Sequence, residues 1–558
     1  MPAGPSPDIL VIMADQLVPS ALPCHGNPVT RAPALSWLAE SGVVFDAAYT
    51  ASPLCAPARA SFLTGLLPSR TGTYDNAAQF SSEIPTFAHY LRGAGYRTVL
   101  AGKMHFCGPD QLHGFEERLT TDIYPADYGW TPDWDRPHER PSWYHDMSSV
   151  IDAGPCARSN QLDFDDEVAF AAERSLFGHI RSGDERPFCY VVSFSHPHDP
   201  FTISRTWWEL YRDEDIPLPA AGPGEASLHP HERRLREVCA MGGAQITEDH
   251  VRAARRAYYG AISYVDHHTS RLIGLLRDTG RLDDTVIIVT SDHGEMLGER
   301  GAWYKMSFFE DAARVPLIVR APGLFPAGRV PAAVSTMDLL PTLVGLACHG
   351  DLSGIVGPLD GRSLLPHLAG APDHDEAVAE YLAEGAIAPI VMIRRGRYKF
   401  IHSPADPDQL FDLASDPRER ANLADDPASA GLAGQFRREV AARWDLAILD
   451  REVRQSQRRR IAVGGALRTG TPDPWDFTPA YDASRRYIRN HADLADLEKM
   501  ARFPPAGRRP TLSFEQAKLP GPGDGLAARG GFQLPVDGHR LRLDGMRRQE
   551  HLGADPRE

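Results

Sequence analysis

Cys55-Ala56-Pro57-Ala58-Arg59, continued by Ala60-Ser61-Phe62-Leu63-Thr64-Gly65, puts a nucleophile, a helix start and a cation in one short stretch. Pro57 suits a first helical turn, because its ring presets φ and its missing N–H would be an orphan there. Cys55 then meets free backbone N–H groups and the positive end of the helix dipole, both of which favour an anion. Arg59, one turn on, brings its planar fork of donors to the same place. A lone cysteine at such a junction would read as structural; the spaced string sets this one apart. Asp15-Gln16 and Asp292-His293 are pairs whose carboxylate, amide oxygen and imidazole suit a divalent ion. Lys103 and His105 would by themselves read as a solvated pair. His198 and Lys305 stand in two further short strings, His196-Pro197-His198-Asp199-Pro200 and Trp303-Tyr304-Lys305-Met306.

These residues need a scaffold, and the hydropathy pattern supplies one. Asp8 to Ala14, Val43 to Tyr49, Pro187 to Ser195 and Thr285 to Ser291 are apolar runs bounded by turn residues, and they read as buried strands. Residues 248–279 carry helical periodicity through Val251, Ala254, Tyr258, Ile262, Val265, Leu272 and Leu275. Strands alternating with helices predict an α/β domain with a large, mostly parallel sheet flanked by helices. Asp15-Gln16, His196-Pro197-His198 and Asp292-His293 fall just past strand ends, the edge where ligands bind in open α/β sheets. Three such coincidences argue for one site. The catalytic domain is expected over 1–370. Short strand-like pieces (Ile390 to Arg394, Tyr398 to His402), Leu410 to Leu413 and a helix around 427–446 predict a small α+β domain over 371–446. Residues 447–503, rich in Arg and aromatics, read as an extended C-terminal arm, and 504–558 as a disordered tail.

The chain has 558 residues and a formal net charge of −15, which disfavours a nucleic-acid binder, whose affinity rests on a clustered basic surface. An anionic substrate remains open, because a local basic pocket can oppose the global field. Met1 to Pro7 lacks a basic region, and the apolar run Ile9 to Ala14 is too short for a membrane span. Seven scattered cysteines without a CxxC pair fit reduced thiols better than a disulfide framework, so a cytoplasmic protein is expected.

The Cys-x-Pro-x-Arg string resembles the signature of the type I sulfatases, in the alkaline phosphatase superfamily. Gly95 to His105 is similar to their second signature, and Asp292-His293-Gly294-Glu295-Met296-Leu297-Gly298 to a metal-binding segment of that superfamily. The resemblance implies an alkaline phosphatase-like fold and a sulfate ester as substrate. It implies that a formylglycine-generating enzyme oxidises Cys55 to an aldehyde whose hydrate is the nucleophile and is released by collapse after sulfate transfer. It makes Cys55, Arg59, Lys103, His105, His198 and Lys305 catalytic, with His105 taking the proton of the sulfated diol and His198 and Lys305 on the scissile oxygen. It makes Asp15, Gln16, Cys55, Asp292 and His293 ligands of one divalent cation, calcium first, with manganese or magnesium as alternatives. Gln16 and His293 depart from many sulfatases and are shared with phosphonate monoester hydrolases.

Over residues 7 to 504 the resemblance narrows to the branch that acts on choline O-sulfate, carried by Ser52 to Phe62, His113 to Asp127, His196 to Pro200 and Arg485 to His491. A quaternary ammonium offers no N–H, so selectivity must come from aromatic faces and a nearby carboxylate. Tyr124, Tyr128, Trp130, Trp134, Trp143 and Tyr144 form the densest aromatic stretch of the chain. The resemblance places Trp130, His145 and Glu384 in the choline pocket. It implies a homo-oligomer, dimer or tetramer, whose arm brings Asn490 and Asp493 to a neighbouring subunit's site. Two other readings stand beside it: a phosphonate monoester or phosphodiester hydrolase, and an inactive binding protein that keeps the fold.

Overall fold

The structure, a computed structural model, describes residues 6–503 apart from 221, 223–226, 244, 372, 472–474, 483–486 and 488–492. The expected tail, 504–558, lies outside the described residues.

Ten strands of the catalytic region come first in chain order: β1 (Asp8–Ala14), β2 (Val43–Tyr49), β3 (Arg97–Gly102), β4 (Glu117–Arg118), β5 (Gly154–Cys156), β6 (Phe188–Phe194), β7 (Thr202–Ser204), β8 (Thr285–Thr290), β9 (Arg314–Arg320) and β10 (Gly328–Ser335). Eight of them build one sheet in the order β10-β2-β9-β8-β1-β6-β3-β4. The block from β8 to β4 is parallel, and β10 pairs parallel with β2. Only β9 runs against both of its neighbours. The sheet is therefore mixed but mostly parallel, as the apolar runs predict. Every residue of β1, β6 and β8 is buried, because both faces are covered. Ile9, Val11 and Met13 share a core with Phe62, Phe87 and Leu339 from helices on one face.

A four-stranded antiparallel sheet comes next, β11 (Glu376–Tyr381), β12 (Ile390–Arg395), β13 (Tyr398–Ser403) and β14 (Asp406–Asp412) in that order. The helix Ala430–Arg443 packs on it through Phe436 and Val440. The expected extended arm begins as a helix, Leu446–Leu467, which buries Val453, Gln457 and Arg460 against the body of the protein. Gln457 accepts from the Trp134 backbone N–H at 2.9 Å, and Arg460 grips Asp75 through two bonds of 2.6 and 2.7 Å. Among the described residues no helix is long and apolar enough to cross a membrane.

Candidate active site

Cys55 is the first residue of the helix Cys55–Thr64, preceded by an extended Leu54. The Ala56 N–H of that first turn donates to Asn76 Oδ1 at 3.0 Å, and Pro57 has no N–H to satisfy. Cys55 Sγ lies 3.1 Å from His293 Nε2 and 3.5 Å from Lys103 Nζ. Burial works to raise the thiol pKa, but Lys103, Lys305 and His293 outweigh it and hold the group well below the ordinary thiol range. The position favours an anion. Arg59 is fully buried one turn on, its Nε donating to Asp292 at 2.8 Å and its Nη1 to Ser193 Oγ at 2.9 Å.

Lys103 reaches the site through a backbone that only glycine permits. Gly102 has φ +98°, and a Cβ there would stand 2.0 Å from the Ser193 carbonyl oxygen. Lys103 pairs with Asp15 and lies 4.2 Å over the Tyr124 ring. His105 is buried with neither ring nitrogen hydrogen-bonded. Gln16, His105, Tyr304 and Met306 all hold positive φ, a conformation that costs non-glycine residues about 1–3 kcal/mol each and clusters at functional sites.

Asp15, Cys55, Asp292 and His293 each turn a ligand atom inward, all within 4.8 Å of one another. Asp15 Oδ1 is buried without a partner. His293 Nδ1 lies 3.0 Å from the Gly294 carbonyl, an acceptor, which leaves the Nε2 lone pair facing the cluster. Burial and then Asp292 push the Asp15 carboxyl up, Lys103 opposing them. A divalent ion with oxygen bonds of about 2.3–2.6 Å would relieve that crowding and fits ligand atoms spaced this way. Gln16 stands beside the group. Its Oε1 accepts from Lys305 Nζ at 2.5 Å, and its amide nitrogen faces Glu295 and Asp199. With the ammonium on its oxygen, the amide expected as a ligand links Lys305 to Glu295.

His198 and Lys305 meet at 2.7 Å, Nε2 to Nζ. They and Cys55 lie in the wall of a cavity of about 460 Å³, with Tyr124, Trp130, Trp143, Tyr144 and His145 around it. Trp130 and Trp143 stack with planes 16° apart, and His145 stacks on Tyr304 at 4.4 Å. The aromatic stretch thus divides. Tyr128 packs on Trp475 and Trp134 donates to the Ala383 carbonyl, so both hold structure rather than line the cavity. Glu384 is not in the cavity lining. It is 2% exposed, neither carboxylate oxygen has a partner, and its charge acts on Tyr144. Burial, then Asp75, pushes its pKa up to about 8. Asp493 caps the exposed helix Leu494–Ala501 and is not among the residues lining the cavity, and Asn490 lies outside the described residues. His196 is held by Asp165 at 2.7 Å, away from the chemistry.

Sequence reasoning missed Asn76, which offers no local signal. It also passed over Asp199, which does, since it directly follows His198.

A nucleophile at a helix start, a candidate metal cluster and a basic pocket, gathered at one edge of a mostly parallel sheet, define a hydrolase of the alkaline phosphatase superfamily. A solved structure of the phosphonate monoester hydrolase of Agrobacterium radiobacter matches with TM-score 0.63 and 25% identity, over 78% of this chain and 95% of that one. Residues 7–349 match the family described as Sulfatase, 298–444 the N-sulphoglucosamine sulphohydrolase C-terminal family, and 451–503 the family described as Choline sulfatase enzyme C terminal. The choline-sulfatase of Rhizobium meliloti is 48% identical over 511 residues, 89% of this chain and 98% of that relative. The multifunctional alkaline phosphatase superfamily protein PehA of Trinickia caryophylli is 28% identical over 503 residues, 80% of this chain and 96% of its own. The chain belongs to the sulfatase family and is a sulfuric ester hydrolase.

Proposed function

We propose that this enzyme hydrolyses choline O-sulfate to choline and sulfate. The observation that carries the choline assignment is the cavity: Cys55, His198 and Lys305 share its wall with four aromatic rings and the carboxylates of Asp146 and Asp152, and an unpartnered buried carboxyl, Glu384, acts on Tyr144 in that wall. The relative at 48% identity supports it.

A cation held by Asp15, Asp292 and His293, with Cys55 at its edge, would supply positive charge against the sulfate oxygens. Calcium suits the oxygen-rich donors, manganese or magnesium being the alternatives. Conversion of Cys55 to formylglycine by a maturation enzyme would put the oxygens of a hydrated aldehyde where the thiol sulfur stands. Arg59 and Lys103 add fixed charges, and each preorganised donor of this kind is worth about 10²–10³ in rate. His105, with both ring nitrogens free of other partners, is placed to take a proton from the nucleophilic side chain. Lys305 gives two of its three N–H bonds to Gln16 and His198, leaving one for the ester oxygen. Choline leaves as an alkoxide, so that oxygen needs a proton as the S–O bond breaks.

The test is kcat/KM on choline sulfate against the isostere that lacks the cation, in which a tert-butyl group replaces the trimethylammonium. The proposal predicts a preference of at least about tenfold for the cation, from cation–π contacts of roughly 0.5–2 kcal/mol each. Equal values would remove it. A second reading, phosphonate monoester hydrolysis, has the likeness to the Agrobacterium enzyme and the Gln16/His293 pair in its favour. Phenyl phosphonate esters turned over faster than choline sulfate would establish it instead. We also place the enzyme in the cytoplasm as a homo-oligomer whose arm carries Asn490 and Asp493 to a neighbouring cavity. Seven free cysteines support the reducing compartment.

A further inference from the structure

Asp199 has more partners than any role given so far requires. Its carboxylate is clamped between two imidazoles, Oδ1 at 3.2 Å from His198 Nδ1 and Oδ2 at 3.2 Å from His145 Nδ1. Gln16 Nε2 adds a third contact to Oδ1 at 3.4 Å. His198 Nδ1 also lies 2.7 Å from the backbone carbonyl of Asp199. A carbonyl and a carboxylate can only accept, so the His198 proton sits on Nδ1 and its Nε2 presents a lone pair to Lys305. These three side chains are spaced as metal ligands are, but His198 Nδ1 already donates to a carbonyl, so that nitrogen has no lone pair for an ion. Burial opposes charge on Asp199, yet His145 and His198 hold its carboxyl well below the usual range. Burial also keeps the His145 pKa down against the pull of that carboxylate.

We propose that Asp199 is the positioning residue of the leaving-group pair: its carboxylate, beside its own backbone carbonyl, holds the His198 ring so that Nε2 orients the Lys305 ammonium toward the ester oxygen, and it ties that pair to His145 in the cavity wall. The inference rests on the alkyl sulfate reading of the site. As the S–O bond breaks, its electron pair goes to the alkyl oxygen, which takes a proton from Lys305 Nζ. Lys305 is left as a neutral amine that regains its proton from water. Asp199 touches none of the reacting atoms. Without its carboxylate, the backbone carbonyl at 2.7 Å still takes the Nδ1 proton, but the imidazole loses its second acceptor and its tie to His145, and its Nε2 is no longer held on the Lys305 ammonium.

The experiment compares Asp199→Asn and Asp199→Ser with the parent enzyme, loaded with metal, on choline sulfate and on an aryl sulfate whose acidic phenol needs no proton. Loss of a carboxylate that orients a metal-bound imidazole typically costs about 10–100-fold, and the same scale is expected for this one. The expected result is a fall of that size in kcat on choline sulfate, a change under about threefold on the aryl sulfate, and no further loss when Asp199→Asn is added to His198→Ala. Equal losses on both substrates, or an undiminished extra loss in the His198→Ala background, would overturn the proposal. Folding is checked by Tm, and two variants of different volume guard against one that fails to fold. If Lys305→Ala itself loses equally on both substrates, the leaving-group reading fails. If only the Asp199 variants do, that reading stands and the Asp199 role alone is lost.

Discussion

Binding of a quaternary ammonium is expected to expel a proton from Glu384, and Glu384→Gln is the perturbation that isolates this. The carboxyl pKa of Glu384 is raised from 4.5 to about 8, chiefly by burial. In the ligand-free enzyme the group is therefore mostly protonated near neutrality, whereas a cation is attracted by the ionised form. The ionised fraction is about 1% at pH 6 and about 10% at pH 7, and apparent affinity falls with the competent fraction. The inhibition constant of choline should then tighten about tenfold per pH unit up to about pH 8 and level off above it. Across pH 6 to 9 that is about 100-fold, or about 2.7 kcal/mol. The same raised pKa sets a sign for stability. The contribution of the protonated group is complete below pH 4.5 and lost as pH rises through about 8. Ligand-free Glu384→Gln should therefore gain on the parent in Tm as pH rises from about 5 to about 8 and hold that gain above it. The assay is competitive inhibition by choline against an aryl sulfate that carries no cationic group, metal fixed, in both enzymes. Other titrations act on both, so their difference reports Glu384. A flat parent profile, or the same slope in Glu384→Gln, would refute the reasoning.

The geometry sets three further outcomes. Lys305→Ala or His198→Ala should lose about 10²–10⁴ in kcat on choline sulfate and far less on an aryl sulfate with an acidic phenol, as removal of a proton donor requires. Equal losses, read from kcat on both substrates, would mean that these groups only bind sulfate. Gly102→Ala should fold poorly or not at all, since its Cβ would meet Ser193 O at 2.0 Å, whereas Gly274→Ala, with nothing within 4 Å, should be neutral or stabilising by up to about 1 kcal/mol in thermal melts. Chelation should abolish turnover and lower Tm, because Asp15 and Asp292 then keep only Lys103 and Arg59 against their mutual repulsion, and added calcium should restore both. A chelated enzyme with full activity would contradict the metal group.

Much of the fold was legible because a strand buried on both faces writes a continuous apolar run. Asp8 to Ala14 and Val43 to Tyr49 coincide with β1 and β2, and the long helix of 248–279 ends one residue early, at Asp278. Hydropathy does not set β3, β9 and β10 apart; β3 lies inside a motif, and β10 carries Gly and exposed residues at its start. The strand ends pointed to the site for the same reason that ligands bind there, since backbone direction alone gathers the residues just past β1, β3, β6 and β8. Side-chain aim was not legible. Nothing local tells that Gln16 turns to Lys305, or that Tyr128 and Trp134 leave the aromatic cluster to pack elsewhere. Nor does local pattern show that an expected extended arm begins as a helix delivering Arg460 to Asp75, a contact between residues 385 positions apart. Such choices are set by partners distant in sequence. Asp199 is the exception, an acid beside a histidine whose meaning became visible only with His145 in place.

The most direct test of the account is the mass of the tryptic peptide Ala32–Arg59, which contains Cys55, from active enzyme. Oxidation of the thiol to formylglycine removes H₂S and adds one oxygen, so the account predicts a peptide lighter by about 18 Da than its unmodified form, in proportion to specific activity. A fully active preparation whose peptide carries an unmodified cysteine would contradict it.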